Sequence, residues 1–323
     1  MMMLTNGKTT MIAYLKLIRV PNLLIIILTQ YLLRFCIIRT LYQLQNIDLQ
    51  INEISFAILV FITICIAAAG YIINDYFDID IDEYNHNNNV IGKMIPVRHV
   101  WVLYGILNII AFALGFYLAF ELGKLRIGFV FPIISGLLYF YASRYKGMLI
   151  WGNLIVSFLS AMVVLIVWLF EFMALRNNPV SFIEGYKVVI IINTFTWGYA
   201  AFAFLVTLLR ELIKDIQDID GDTRFGCRTL PIILGWKTTR NIIVVGIIVA
   251  MGLLGLCQYY LLKNGYNYPF WYLLIAVQPI FIYLIIKVIR SSKPGDFKLA
   301  GLTSKIIMVA GILSMQLVHI SYM

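Results

Sequence analysis

Nine stretches of this chain are apolar over about the ~20 residues that a bilayer crossing requires. They cover 12–33, 54–73, 100–120, 127–142, 151–171, 188–209, 241–262, 270–289 and 299–320, with polar and charged residues gathered between them. A barrel strand would be shorter and would alternate apolar with polar. Backbone groups in hydrocarbon must find partners within their own segment, so runs of this length predict helices. Two runs carry a blemish: Arg34 cuts the first short, and the fourth is brief and holds Pro132. The pattern predicts an all-α, polytopic membrane protein, a bundle of about nine transmembrane helices forming one domain over residues 1–323.

Composition agrees with the pattern. At 62% hydrophobic and 13% charged residues, the chain has more apolar surface than one soluble core could hide, so the lipid bilayer is its first partner. The charge is directional. If the N-terminus and every second connection lie on one side, that side holds 18 of the 25 Lys and Arg, and short basic connections face the cytoplasm. The N-terminus is then inside a cytoplasmic membrane and the C-terminus outside. The net charge of +9 follows from topology and does not call for nucleic acid. Lys8, Lys16 and Arg19 precede the first run with no small-residue cleavage site after it, which predicts a retained helix. Cys36, Cys65, Cys227 and Cys257 show no C-x-x-C spacing, and His86, His99 and His319 form no ligand pattern; structural thiols are expected.

The acidic residues are the unusual feature. Ten of the 16 fall within 75–83 or 211–222, each stretch following a long apolar run. NDYFDIDID holds Asp75, Asp78, Asp80 and Asp82; KDIQDIDGD holds Asp215, Asp218, Asp220 and Asp222. At about 100° per residue, Asp75, Asp78 and Asp82 share one helix face led by Asn74, and Asp80 points away. Asp215, Asp218 and Asp222 repeat that geometry, with Asp220 off the face and Gly221 as a point where the helix would fray. Carboxylates this close repel unless cations intervene, and hard oxygen clusters suit Mg²⁺ or Ca²⁺. Two ladders of equal spacing argue against acids that are merely solvated, and predict two related halves whose acidic faces converge on a cytoplasmic cavity. Mg²⁺ takes one or two protein carboxylates and completes its shell with water and phosphate oxygens, so a diphosphate would supply the rest. Basic residues on the same membrane side suit its phosphates: Lys93, Arg98, Arg144, Lys146, Arg210, Lys214, Arg224 and Arg228.

On these residues the chain resembles the UbiA superfamily of intramembrane prenyltransferases. Asn74, Asp75, Asp78 and Asp82 meet its motif N-D-x-x-D-x-x-x-D; Asp215, Asp218 and Asp222 meet D-x-x-D-x-x-x-D. The stretch Arg210 to Gly235 is similar to the branch containing geranylgeranylglycerol-phosphate geranylgeranyltransferases. Leu137 to Asn153 looks like the family's inner loop bearing Tyr and Lys, followed by Gly-Asn, which implies roles for Tyr141 and Lys146. One departure follows the first ladder. Many relatives have Asn-Lys-Pro and an Arg before the Gly, whereas here Asn85, His86, Asn87, Asn88 and Asn89 precede Gly92, leaving Lys93 as the substitute cation.

The resemblance implies nine spans with the ladders after the second and sixth, and transfer of a prenyl group from a polyprenyl diphosphate to a lipophilic acceptor. Mg²⁺, with Mn²⁺ as the alternative ion, is expected on Asn74, Asp78, Asp82, Asp218 and Asp222, with Asp75 adding to the set. Lys146, Arg210, Lys214 and Arg228 are expected to stabilise the leaving diphosphate, with Lys93, Arg144 and Arg224 as further phosphate contacts. Asp215 is the candidate base. Among the aromatic clusters lining any apolar trough, only Tyr141 receives a role. An ether-lipid acceptor of the geranylgeranylglyceryl phosphate type is expected, and an aromatic or quinone precursor is the alternative. A cation transporter is the competing class, but its sites lie near mid-membrane on broken helices. The D-G-x-x-A-R element of CDP-alcohol phosphotransferases is missing, since Asp222, Thr223 and Arg224 follow Gly221.

Overall fold

Hydrocarbon leaves a backbone no partner but itself, and the computed structural model is helical along the second to ninth predicted runs and along the first on either side of a turn at Ile18 and Arg19. It describes residues 7–84 and 89–322, with the side chains of residues 7–10 excepted. Asn85, His86, Asn87 and Asn88 and the Lys8 side chain therefore lie outside the described residues. Among the described residues nine helices are long and apolar enough to cross a membrane: Val20–Gln43, Glu53–Phe77, Val97–Glu121, Leu125–Ser143, Trp151–Leu175, Tyr186–Gln217, Trp236–Lys263, Asn267–Arg290 and Pro294–Ile320.

The second to ninth spans follow the predicted runs; the first does not. A separate helix, Gly7–Leu17, precedes it, and the chain turns at Arg19 in the left-handed region, φ 52°. The span then begins beside Pro21, a residue that suits a helix start. It passes straight through Arg34 to Gln43, so Arg34 does not end the run. The guanidinium is tolerated because it is not solitary: Arg34 and Glu171 are each 1% exposed and form an ion pair at 3.3 Å. The turn carrying Arg34, Leu33–Ile38, is a π-helix, which re-aims side chains by one residue. Pro132 sits in the first turn of the helix Val130–Ser143, where its missing N–H breaks no ladder.

The described chain divides into two compact units. The first comprises Met1–Ile27 and Asn52–Lys146. Its second span starts at Asn52, whose side chain accepts from the Ser55 N–H at 2.7 Å, an N-cap worth about 1 kcal/mol. Ala13, Leu17, Ile72, Val90, Ile91, Ile95 and Val100 form a buried cluster that holds the N-terminal helix and the loop after the first ladder against the second span. Close helix approach needs small residues. A Cβ on Gly115 would come within 2.2 Å of the Phe131 ring, itself 1% exposed. Gly115→Ala is expected to destabilise by about 1–3 kcal/mol, read as a lowered thermal midpoint in detergent. Gly105, on the same helix with open space around it, should accept alanine without loss.

The second unit comprises Leu28–Ile51 and Gly147–Met323. The sixth span packs against the fifth, seventh and ninth, and the eighth against the seventh and ninth. Two polar pairs form inside the unit: Trp168 Nε1 donates to Asn193 at 2.6 Å, and the Tyr199 hydroxyl meets Ser314 Oγ at 2.8 Å. Two short parallel strands, β1 (Met148–Leu149) and β2 (Arg228–Thr229), join the connection before the fifth span to the one after the sixth.

Candidate functional site

Each ladder sits on a helix that breaks at its second carboxylate. The span Glu53–Phe77 gives way at Asp78 (φ −92°, ψ 1°) to a short helix, Ile79–Tyr84. The span Tyr186–Gln217 gives way at Asp218 (φ −94°, ψ 6°) to Ile219–Arg224. Backbone bonds cross both breaks in the same pattern: Asp78 N–H to the Asn74 carbonyl (3.0 Å) and Asp82 N–H to that of Asp78 (2.8 Å), then Asp218 N–H to that of Lys214 and Asp222 N–H to that of Asp218, both 3.0 Å. The repeat is thus one of backbone as well as sequence. The interruption falls at Asp218 and not at Gly221, which is buried within the short helix. Asp80 and Asp220 are exposed, as the helical wheel predicts.

In the first unit the carboxylates divide by partner. Asp78, 6% exposed, accepts from Asn74 Nδ2 at 2.7 Å and from the Lys146 ammonium. Asp75 is held by Arg19 at 2.5 Å, and that guanidinium lies 5.1 Å from the centre of the Tyr71 ring. Burial alone would loosen the proton on Arg19, but the Asp75 carboxylate reverses this and raises the side chain above an arginine's ordinary value. Asp82 accepts from Asn89 Nδ2 at 3.0 Å. Tyr141 is buried at the end of the fourth span, and Arg144 and Lys93 are exposed. Lys93 follows Gly92 in a tight turn closed by an Ile91–Ile95 bridge; Gly92 has φ 77°, which asks for glycine.

In the second unit Asp215 accepts from Asn153 Nδ2 at 2.7 Å. Asn153 is buried, and its own carbonyl takes the Ser157 hydroxyl at 2.6 Å. Lys214 lies 4.0 Å from Asp218, one helical turn on, and Arg210 pairs with its neighbour Glu211. Asp222 is buried, with its carbonyl accepting the Cys227 N–H at 2.9 Å. Arg224 and Arg228 are exposed, Arg228 on β2.

Three participants escaped the sequence reading as ladder partners: Arg19, Asn89 and Asn153. Arg19 was legible only as a basic anchor, although Pro21 marks the helix start that leaves it in a bend. The amides gave no pattern of their own. The donors present suit a hard divalent cation. They are carboxylate and amide oxygens, and an ammonium already stands against Asp78. Among the described residues no three His, Cys, Asp or Glu side chains gather into a closed cage; Mg²⁺ needs none, because water and phosphate oxygens complete its shell.

Comparison with known proteins supplies the rest. A model of the UbiA prenyltransferase family matches residues 44–302. The digeranylgeranylglyceryl phosphate synthase of Methanosphaera stadtmanae is 32% identical over 217 residues, 67% of this chain and 70% of that one. The enzyme of that name from Thermococcus sibiricus is 31% identical over 196 residues, 59% of this chain and 61% of its own length. A solved structure concerned with digeranylgeranylglyceryl phosphate synthase in membranes aligns with 97% of this chain and 99% of its own at a TM-score of 0.60 and 24% identity, a likeness of fold.

Proposed function

The chain belongs to the UbiA prenyltransferase family, and from that premise we propose that it transfers a prenyl group from an allylic isoprenoid diphosphate to a lipid acceptor of the geranylgeranylglyceryl phosphate type. The observation that carries this reading is the repeated ladder, with the same spacing and the same helix break in both halves of the sequence. The names of the relatives support the ether-lipid acceptor.

Asn74, Asp78, Asp82, Asp218 and Asp222 are the residues that would hold Mg²⁺, or Mn²⁺ in its place. The ion, when bound, supplies Lewis-acid neutralisation of the departing diphosphate. Breaking the allylic C–O bond separates charge, which an apolar medium opposes unless fixed cations receive the anion. Lys146, Arg210, Lys214 and Arg228 serve that purpose, with Lys93, Arg144 and Arg224 as outer phosphate contacts. Tyr141, buried at the end of the fourth span, is the aromatic residue assigned to the reaction in this proposal.

Asp75 and Asp215 hold equivalent places in the ladders but keep different company. Asp75 is neutralised by Arg19, whereas Asp215 meets the neutral amide of Asn153 at Oδ2. Asp215 therefore keeps Oδ1 to take the acceptor's proton as the new bond forms. In this proposal both ladders face the cytoplasm from the cell membrane, a reading supported by the basic residues of the connections on that side.

The test is transfer from radiolabelled geranylgeranyl diphosphate by purified protein in detergent with Mg²⁺. Geranylgeranylglyceryl phosphate and 4-hydroxybenzoate are offered separately. Product is expected with the glyceryl phosphate alone. Product with the aromatic acid alone would move the enzyme to quinone-precursor chemistry. Failure with both, in folded protein, would leave family membership as a statement about fold.

A further inference from the structure

Asn89 has no part in the reaction described so far, yet every polar atom of its side chain is engaged. Nδ2 donates to Asp82 Oδ2 at 3.0 Å and to the Asp75 carbonyl at 2.8 Å; Oδ1 accepts the Ile91 N–H at 3.0 Å. We infer that Asn89 is a positioning residue that holds Asp82 in the orientation needed to bind a divalent cation. This rests on the assignment of Asp82 to the metal.

The need for such a tie lies in the local structure. Asp82 sits on a helix of six residues, Ile79–Tyr84, none of them buried. So short a helix has little stability of its own, and without an external contact its carboxylate would sample several directions. Asn89 is well placed to supply that contact because its own end is fixed. Its neighbours Val90 and Ile91 are buried with Ile72 and Ile95 against the second span. The Asp75 carbonyl belongs to the last turn of that span, where carbonyls lose their helical partners, and the amide caps it. One side chain thus joins the anchored loop, the end of the span and the Asp82 carboxylate.

The residue type matters as much as the place. Asp75 and Asp78 are met by cations, Arg19 and Lys146. The Asn89 amide orients an Asp82 oxygen and itself brings no charge to set against a metal.

The test is Mn²⁺ binding to substrate-free protein, followed by electron paramagnetic resonance, beside the Mg²⁺ dependence of turnover. Asn89→Ala is expected to weaken Mn²⁺ binding and to raise the Mg²⁺ half-saturation concentration by about tenfold, the usual effect of removing a residue that orients a ligand. Turnover at saturating Mg²⁺ and the KM for the diphosphate should stay near wild type, a split that general destabilisation would not give. If the alanine variant does not fold, Asn89→Leu keeps the volume and removes the donors, and is measured in the same way. Asp82→Asn is the comparator. Wild-type Mn²⁺ binding in the Asn89 variant, with binding lost in Asp82→Asn, would overturn the role of Asn89 and leave that of Asp82 standing. Wild-type binding in Asp82→Asn would remove the metal assignment itself, and the inference with it.

Discussion

Asp78→Ala is expected to lower turnover by about 10³-fold, the scale on which loss of one preorganised charge-stabilising group acts, while the protein stays folded. Both halves of that expectation follow from the contacts. The carboxylate is buried and receives Asn74 and Lys146 together, so its removal takes away a proposed metal ligand and releases both partners from their geometry. The helix break survives, because the bonds crossing it use only the backbone of Asp78. Lys146 keeps 26% of its side chain exposed and can rehydrate, which spares the protein the penalty of a stranded buried charge. Initial rates at saturating Mg²⁺, measured beside the thermal midpoint, decide the matter. Asp80→Ala, at an exposed position between the two face residues, is the internal control and should retain near wild-type rates. A fully active Asp78→Ala enzyme would sink the metal scheme.

The contrast between Asp78 and Asp80 was readable from helical spacing, and so was most of the fold. A run of ~20 apolar residues has one stable outcome in a bilayer, which is why the second to ninth spans lie where their sequences place them. The ladders were legible for the same kind of reason: few chemistries ask for four carboxylates in eight residues, and the pattern occurs twice. The break at Asp78 and Asp218 was hidden because each sequence would also suit a continuing helix, and Gly221 drew the expectation three residues too far. Arg19, Asn89 and Asn153 were hidden for another reason. A lone cation or amide carries no periodicity, and its function is defined by what tertiary folding sets beside it. Asn89 was noticed only as a departure from the family pattern, whereas its three hydrogen bonds give it a place in the first ladder.

Arg34 is the sharpest failure of local reading and leads to the largest expected effect on stability. A charge in an apolar run signals the end of a span unless a partner removes the cost of burying it, and here the partner is 137 residues away. The arrangement is more than a pair. Arg34 Nη2 donates to the Ile51 carbonyl at 2.5 Å, and Glu171 accepts from the Gln50 N–H at 2.6 Å and the Ile51 N–H at 3.4 Å. Two charges therefore satisfy the backbone of a loop that returns into the second unit. Arg34→Met strands the Glu171 carboxylate in a site 1% exposed, and Glu171→Leu strands the guanidinium. Each is expected to destabilise by about 3–5 kcal/mol, the range for breaking one partner of a buried pair. The double variant Arg34→Met with Glu171→Leu should be more stable than either single one, because no charge is left unpaired. It should still fall short of wild type, because the Gln50 and Ile51 amides lose their acceptor at about 1–3 kcal/mol each. Unfolding midpoints of the four proteins in one detergent would give the coupling energy directly. Single variants within about 0.5 kcal/mol of wild type, or losses that simply add in the double variant, would show that the loop is held by packing and that the ion pair contributes little.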